Sequence, residues 1–167
     1  LKRWTLSGWS DLSGFLDVNT NRNAFSPSLA LDSSGNPVVS WYESDGTSHN
    51  IYVKRWNGRN WVQMGTFLDV NTNQNAYSPS LALDSSGNPV VSWYEYVSGL
   101  TNANIYVKRW TGSSWVQLGT FLDVNTDGVA VNPSLALDSS DNPVVSWLEA
   151  DGGSRNIYVK GWNGSSW

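Results

Sequence analysis

Tryptophan recurs along this chain at constant spacing. Eight of its eleven tryptophans form pairs five residues apart, at positions 4/9, 56/61, 110/115 and 162/167, and the other three follow valine-rich segments at 41, 93 and 147. An indole face can stack on the apolar face of a sugar ring while polar neighbours bind the hydroxyls. The alternative is that these large rings fill space between sheets. We predict that the three unpaired tryptophans pack between sheets; these are Trp41, Trp93 and Trp147. We predict ligand contact for four of the paired tryptophans, Trp56, Trp61, Trp110 and Trp115.

Charged residues recur near these tryptophans. Arg55 and Arg109 precede the first tryptophan of their pairs, whereas the last repeat has Gly161 there. The only three glutamates, Glu43, Glu95 and Glu149, share one repeated position. One interpretation is a cross-strand Glu–Arg or Glu–Lys pair, worth less than about 1 kcal/mol if exposed. The other interpretation is a polar pair that binds sugar hydroxyls. On that interpretation the candidate ligand-binding residues are Arg55, Arg109, Glu43 and Glu95.

A third recurring segment is rich in side-chain oxygens. It begins at Asp17, Asp69 and Asp123 and reads Asp-Val-Asn-Thr-Asn, with Asp in place of the last Asn in the third copy. Alternating oxygen side chains are typical of Ca²⁺ loops, although no carboxylate follows to act as a bidentate ligand. The alternative is an Asx-rich turn between repeats. The best metal candidates are Asp123, Asn125 and Asp127, for weak Ca²⁺ binding at most.

The chain has few groups that could catalyse a reaction. His49 is its only histidine, and cysteine is absent. A catalytic site is asymmetric, whereas near-identical units suit multivalent binding. We therefore predict a binding protein with no catalytic residues and no required cofactor. A net charge of −4 disfavours a nucleic-acid partner, and the sequence has no apolar run near the roughly 18 residues of a membrane span.

Internal repetition predicts how these residues are positioned. Three segments align, 15–66, 67–120 and 121–167, and each predicts four short strands, in the first repeat 28–31, 37–43, 51–56 and 61–64. Asp32 to Asn36 is a turn sequence, and Asn57-Gly58 is a strong hairpin signal. Four antiparallel strands repeated at this period predict an all-β propeller of four-stranded blades, with a β-solenoid or a sandwich as alternatives. We treat residues 1–167 as one domain.

The two ends of the pattern are offset. Residues 1–14 match the last two strands of a repeat, a spare hairpin, whereas the third repeat stops at Trp167 where its fourth strand would begin. Three blades do not close a ring, and an uncovered strand edge invites pairing. We predict a homodimer that forms a six-blade ring, with Trp9 to Leu12 of one chain beside Ile157 to Trp162 of the other. Because Leu1 to Trp4 duplicates a strand, the alternative is a fragment of a longer array.

Two motifs resemble known families. The turn from Leu31 to Trp41 is similar to the Asp-box turn of sialidase-like propellers, although its spacing from glycine to the aromatic residue differs. The hairpin from Arg55 to Gly65 resembles the Trp-x-Gly-x-x-Trp hairpin of small propeller lectins, some of them fucose-binding. Repeats of this kind are similar to those of bacterial secreted and cell-surface propellers. The resemblance implies an extracellular or cell-surface protein that binds a glycan or another cell-surface ligand; the alternatives are a structural or protein-interaction scaffold and a piece of a larger propeller protein.

Overall fold

The computed structural model describes residues 2–6, 8–12, 14–98, 101–151 and 153–167. Every regular element in this part of the chain is a β-strand, which confirms the predicted all-β class. None of the described segments forms a helix that could cross a membrane. In chain order the strands are β1 Lys2–Thr5, β2 Gly8–Asp11, β3 Ala24–Leu31, β4 Pro37–Ser44, β5 His49–Trp56, β6 Trp61–Gln63, β7 Ala76–Leu83, β8 Pro89–Ser98, β9 Asn102–Trp110, β10 Trp115–Gln117, β11 Ala130–Leu137, β12 Pro143–Asp151 and β13 Ser154–Gly161.

The strands form three consecutive antiparallel sheets, which we call blades. Blade 1 has the order β3-β4-β5-β6, blade 2 consists of β7 to β10 in the same arrangement, and blade 3 consists of β11, β12 and β13. Strands β1 and β2 form a separate hairpin in which Trp4 pairs with Trp9, just as Trp56 pairs with Trp61 in blade 1. Each strand thus pairs with its neighbour in sequence, as local hairpin turns require.

Turn chemistry explains where the first two strands of each blade meet. In blade 1, Oδ1 of Asp32 accepts the main-chain N–H of Ser34 and of Asn36 at 2.9 and 2.8 Å, and Gly35 has a φ of 74°. Blade 3 has Asp141 at the glycine position, with a φ of 62°. Its carboxylate accepts the N–H and hydroxyl of Ser85 in blade 2. These bonds between blades offset the cost of a left-handed conformation at a non-glycine residue.

The first and third strands of blade 1 begin earlier than the sequence predicts. Strand β3 begins at Ala24 and not at Ser28, because the register shifts between Phe25 and Ser28 and pairing with β4 then resumes. Ser26 lies in this irregularity with a φ of 49°, and the same feature recurs at Ser78 and Asn132. A bulge of this kind is a local arrangement that strand propensity does not reveal. Strand β5 also begins earlier, at His49, and β6 is limited to Trp61–Gln63.

Apolar layers between neighbouring blades form the core. Val38, Ile51 and Val53 of blade 1 pack against Trp93 of blade 2, and the equivalent residues of blade 2 pack against Trp147 of blade 3. Trp41, Trp93 and Trp147, which lie within the second strand of each blade, are buried, as predicted for packing residues. Because each blade presents one face to the next, the same contact is repeated along the chain.

One end of the blades carries the long connections. Antiparallel order brings the segments between blades (17–23 and 69–75) to the same end as the turn after the second strand (45–48). We call this end the loop edge. The turns at 32–36 and 57–60 lie at the opposite end. The segment 17–23 recurs in the other repeats, but the turn after the second strand differs between repeats, so the loop edge is where blades can differ in function.

Candidate functional site

The paired tryptophans predicted to bind ligand connect adjacent blades. The rings of Trp110 and Trp115 meet edge to face, 5.4 Å apart, and Nε1 of Trp115 donates a hydrogen bond to the carbonyl of Met64 in blade 1 at 2.6 Å. The ring also lies over Gly65, where a Cβ would come within 3.0 Å of it. Trp56 and Trp61 repeat the arrangement, with Nε1 of Trp61 bonded to the carbonyl of Leu12. Trp56 is only 9% exposed. These indoles therefore have a packing role, and ligand stacking on them stays a prediction.

The predicted ligand-binding glutamates are buried. Glu95 is 1% exposed, and its carboxylate accepts the main-chain N–H groups of Val70 and Asn71 and the indole Nε1 of Trp93. Glu43 makes the same three bonds with residues 18, 19 and 41. Both carboxylates are buried in this fold, and ligand contact by them stays a prediction. Each one holds the segment that enters its own blade.

The repeated cations also bond to the backbone. Nη2 of Arg55 donates to the carbonyl of Gly87 in blade 2, and that of Arg109 to the carbonyl of Asp141 in blade 3. Both arginines therefore bond to the backbone of the next blade, and ligand contact by them stays a prediction. Nζ of Lys108 lies 5.7 Å from the ring centre of Trp93 and donates to the carbonyl of Leu68. Burial lowers the pKa of this lysine, although the nearby Glu95 opposes the effect.

The three metal candidates point in different directions. Asp123 is buried, its Oδ1 accepts the N–H of Ile105 at 2.8 Å, and burial raises its pKa to about 7. Asn125 uses its side-chain oxygen to accept the N–H of Asp127, whose own side chain is exposed. Among the described residues, no group of three or more His, Cys, Asp or Glu side chains could hold a metal ion. The arrangement is that of an Asx turn, and Ca²⁺ binding stays a prediction.

A row of aromatic rings crosses the loop edge from blade 1 to blade 2. Phe25 stacks on Tyr42 at 5.3 Å, Tyr42 meets Tyr77 edge to face at 5.0 Å, Tyr77 lies 5.4 Å from Tyr94, and Tyr94 lies 5.9 Å from Tyr96. Phe25 is 43% exposed, and the tyrosines are half-buried. We call these five residues the aromatic row. They offer apolar ring surface where solvent can still reach it.

Polar groups adjoin one end of the aromatic row. A cavity of about 310 Å³ is lined by Asn21, Arg22, Asn23, Phe25, Ser44 and His49. The main-chain N–H of His49 donates to Oδ1 of Asn75 at 2.9 Å, and the ring Nδ1 of His49 lies 3.2 Å from the same oxygen. The imidazole also lies 5.2 Å from the ring of Tyr77. The cavity thus places side-chain amides, the guanidinium of Arg22 and the imidazole of His49 beside the aromatic ring of Phe25.

Tyr77 and Tyr94 of the row can act as hydrogen-bond donors. Burial raises the pKa of Tyr77, and burial together with neighbouring tyrosines raises the pKa of Tyr94 to about 12. Their hydroxyl groups therefore remain protonated over the whole physiological range. A surface that combines ring faces, hydroxyl donors and amides suits a ligand with apolar faces and many hydroxyl groups.

The sequence analysis missed this site because it followed what repeats. The row is built from positions that differ between repeats: Phe25 and Tyr77 correspond to Val131, Tyr42 and Tyr94 to Leu148, and Ser44 and Tyr96 to Ala150. Residues that are constant in every blade serve contacts that every blade makes. The signal that could have located the site was the loss of aromatic residues in the third repeat.

No protein-family model matches the chain, and no curated protein matches it. Several solved structures resemble it. An endo-arabinase from Bacteroides thetaiotaomicron matches with a TM-score of 0.58 and 14% identity, over 94% of this chain and 62% of its own. A fucose lectin from Kordia zhangzhouensis, in complex with methyl-fucoside, matches with a TM-score of 0.53 and 17% identity, over 84% of this chain and 94% of its own. An exo-1,5-alpha-L-arabinanase from a bovine ruminal metagenomic library matches with a TM-score of 0.52 and 15% identity, over 99% of this chain and 61% of its own.

These likenesses concern the fold. Together with the antiparallel sheets that pack face to face, they confirm the predicted β-propeller architecture. The chain spans less than two thirds of the endo-arabinase and of the arabinanase, and most of the lectin. A shared propeller fold serves both binding proteins and enzymes, so the fold alone does not assign an activity to this chain.

Proposed function

We propose that this chain is a non-catalytic carbohydrate-binding module that acts outside the cell or at its surface. The observation that carries the proposal is the aromatic row beside a cavity lined by Asn21, Arg22 and His49. Ring faces match the apolar faces of a sugar, and the polar groups match its hydroxyls. The fucose lectin and the endo-arabinase among the similar structures support a carbohydrate ligand, since both names refer to sugars.

The residues around the cavity favour binding over hydrolysis. Most glycoside hydrolases place a pair of carboxylic acids on either side of the bond that they cleave. The described residues that line the cavity include no aspartate or glutamate. Glu43 and Glu95 are buried and bonded to backbone N–H groups, so neither is free to act as an acid or a nucleophile. The surface can hold a sugar, but it offers no such pair to a glycosidic bond.

Replacing Tyr77 with alanine tests the proposed function. We expect the intact chain to bind a subset of glycans on an array, and we expect Tyr77→Ala to weaken that binding at least about tenfold, because the central ring of the row is lost. Tyr77→Phe keeps the ring and should retain most of the binding. Val116→Ala changes an exposed residue of β10 and should have no effect. A blank array, with the protein shown to be folded, would favour a structural scaffold.

We also propose that two copies pair through their open blade faces, because these faces are apolar and exposed. Ile157 and Val159 of blade 3 are 70% and 62% exposed, whereas the corresponding residues of blades 1 and 2 are buried. On the opposite face of blade 1, Leu29 and Leu31 are also exposed, beside a cavity of about 270 Å³ that includes Phe15. The contact between blades 1 and 2 pairs these same two kinds of face, so one copy can cover the other.

Mass measurement in solution tests this pairing. We expect a dimer that Ile157→Asp converts to a monomer, because a charge would then have to be buried in the contact. Val116→Asp places the same charge on a part of the surface outside the proposed contact and should leave the dimer intact. A soluble monomer at every concentration tested would contradict the six-blade assembly.

A further inference from the structure

The spacing of the aromatic row has a consequence for the size of the ligand. Ring centres from Phe25 through Tyr42 to Tyr77 are separated by 5.3 and 5.0 Å, and beyond Tyr77 the rings of Tyr94 and Tyr96 lie side by side, 5.4 and 6.0 Å from Tyr77 and 5.9 Å from each other. Each step is comparable with the advance from one sugar unit to the next in a linear glycan. A single sugar unit could therefore cover only part of the row.

The rings do not form one flat platform. Phe25 and Tyr42 are inclined by 25°, but Tyr42 and Tyr77 meet at 80°. Tyr77 and Tyr94 are again closer to parallel, at 31°, and Tyr94 and Tyr96 meet at 84°. The row is thus divided into separate surfaces that face different directions. A chain of linked sugars can turn at each linkage and contact several such surfaces, whereas one rigid ring cannot.

Polar partners are distributed along the row as well. The cavity with Arg22 and Ser44 lies at the Phe25 end, Asn75 and His49 lie beside Tyr77, and tyrosine hydroxyls continue into blade 2. A site for one terminal sugar would instead gather its polar groups around one enclosed position. In blade 3 the equivalent positions are Val131 and Leu148, so the row has a defined end.

We infer that this site binds an internal stretch of a linear glycan, several sugar units long, laid across the loop edge from blade 1 to blade 2. This inference rests on the proposed carbohydrate-binding function. It adds that the ligand is a polysaccharide or long oligosaccharide chain and not a single terminal sugar. The cavity holds one unit, and the tyrosines of blade 2 hold the units that follow it.

A series of ligands of increasing length tests the inference. Xylo-, cello- and malto-oligosaccharides of one to six units, and the matching monosaccharides, would be titrated calorimetrically into the intact chain. In the series that binds, we expect affinity to rise at least tenfold from one unit to four and then to level off, because the row is finite. Equal affinity for the monosaccharide and the tetrasaccharide would overturn the inference while leaving the proposed function in place.

Two variants locate the contacts along the row. Tyr96→Ala, at the blade 2 end beside Tyr94, should lower affinity for the tetrasaccharide about fivefold or more and leave that for a disaccharide unchanged. Phe25→Ala, beside the cavity, should weaken both. Val131→Ala is the matched control. Val131 is the residue of blade 3 that corresponds to Phe25 and Tyr77, and the aromatic row does not extend into blade 3. A loss of affinity at Tyr96 that is independent of length would contradict the proposed extension. If neither these series nor any array glycan binds, the proposed function itself fails, and this inference with it.

Discussion

Glu95→Ala is expected to lower the free energy of unfolding by about 4 kcal/mol. The Glu95 carboxylate is buried and accepts hydrogen bonds from the N–H groups of Val70 and Asn71 and from the Trp93 indole. Removing it leaves all three donors without this acceptor and opens a cavity between the strands. Each unsatisfied buried donor costs roughly 1–3 kcal/mol, and breaking a buried charged network is among the most destabilising changes. Urea denaturation followed by tryptophan fluorescence and circular dichroism measures the loss.

A conservative variant distinguishes the effect of losing the carboxylate from the effect of losing side-chain volume. Glu95→Gln keeps the size of the side chain and one acceptor oxygen, so we expect a smaller loss than for alanine. Asp127→Ala removes an exposed carboxylate and should change the unfolding free energy by less than about 0.5 kcal/mol. Glu43→Ala should resemble Glu95→Ala, since Glu43 makes the equivalent bonds. If Glu95→Ala is as stable as the unmodified chain, the role assigned to this repeated carboxylate is wrong.

The protein is expected to be less stable at pH 8 than at pH 5 because of two buried aspartates. Burial raises the pKa of Asp69, and likewise that of Asp123, from 3.8 to about 7. Oδ2 of each lies buried without a hydrogen-bond partner among the described residues. A carboxyl with a raised pKa in the folded state contributes stability that is complete below pH 4 and is lost as the pH rises through 7. Between pH 5 and 8 the loss is on the order of 2–3 kcal/mol per carboxyl.

Unfolding measured at both pH values tests this sign. The double variant Asp69→Asn, Asp123→Asn cannot ionise at these positions, so its stability should change much less between pH 5 and pH 8. Asp127→Asn, an exposed change in the same kind of segment, should leave the pH dependence unaltered. Hydrogen bonding lowers the pKa of Asp32, of Asp45 and of Asp138, but those groups act on stability mainly below pH 4 and do not disturb the comparison. An equal decline in the double variant would show that other groups cause it.

Much of the fold was predictable because its determinants are local. The Asp32 to Asn36 turn satisfies its own backbone groups, and glycine at 35 supplies the left-handed conformation that the turn needs. Repetition of such turns at a constant period specifies antiparallel blades without knowledge of distant contacts. The start of the first strand of a blade was not predictable, because the bulge at Ser26 depends on how β3 pairs with β4.

The sequence by itself determined the repeat, the strand order and the burial of the tryptophans at 41, 93 and 147. Only the tertiary structure decided what the repeated charges do, because their partners lie in other segments of the chain. Glu95 bonds to residues 24 and 25 positions away, and Arg55 to one 32 positions away. The aromatic row likewise joins side chains from two blades, and the repeat pattern does not show that Tyr42 meets Tyr77 across the boundary between them. Repetition marks the contacts that hold blades to each other, whereas the proposed binding surface lies where the repeats differ.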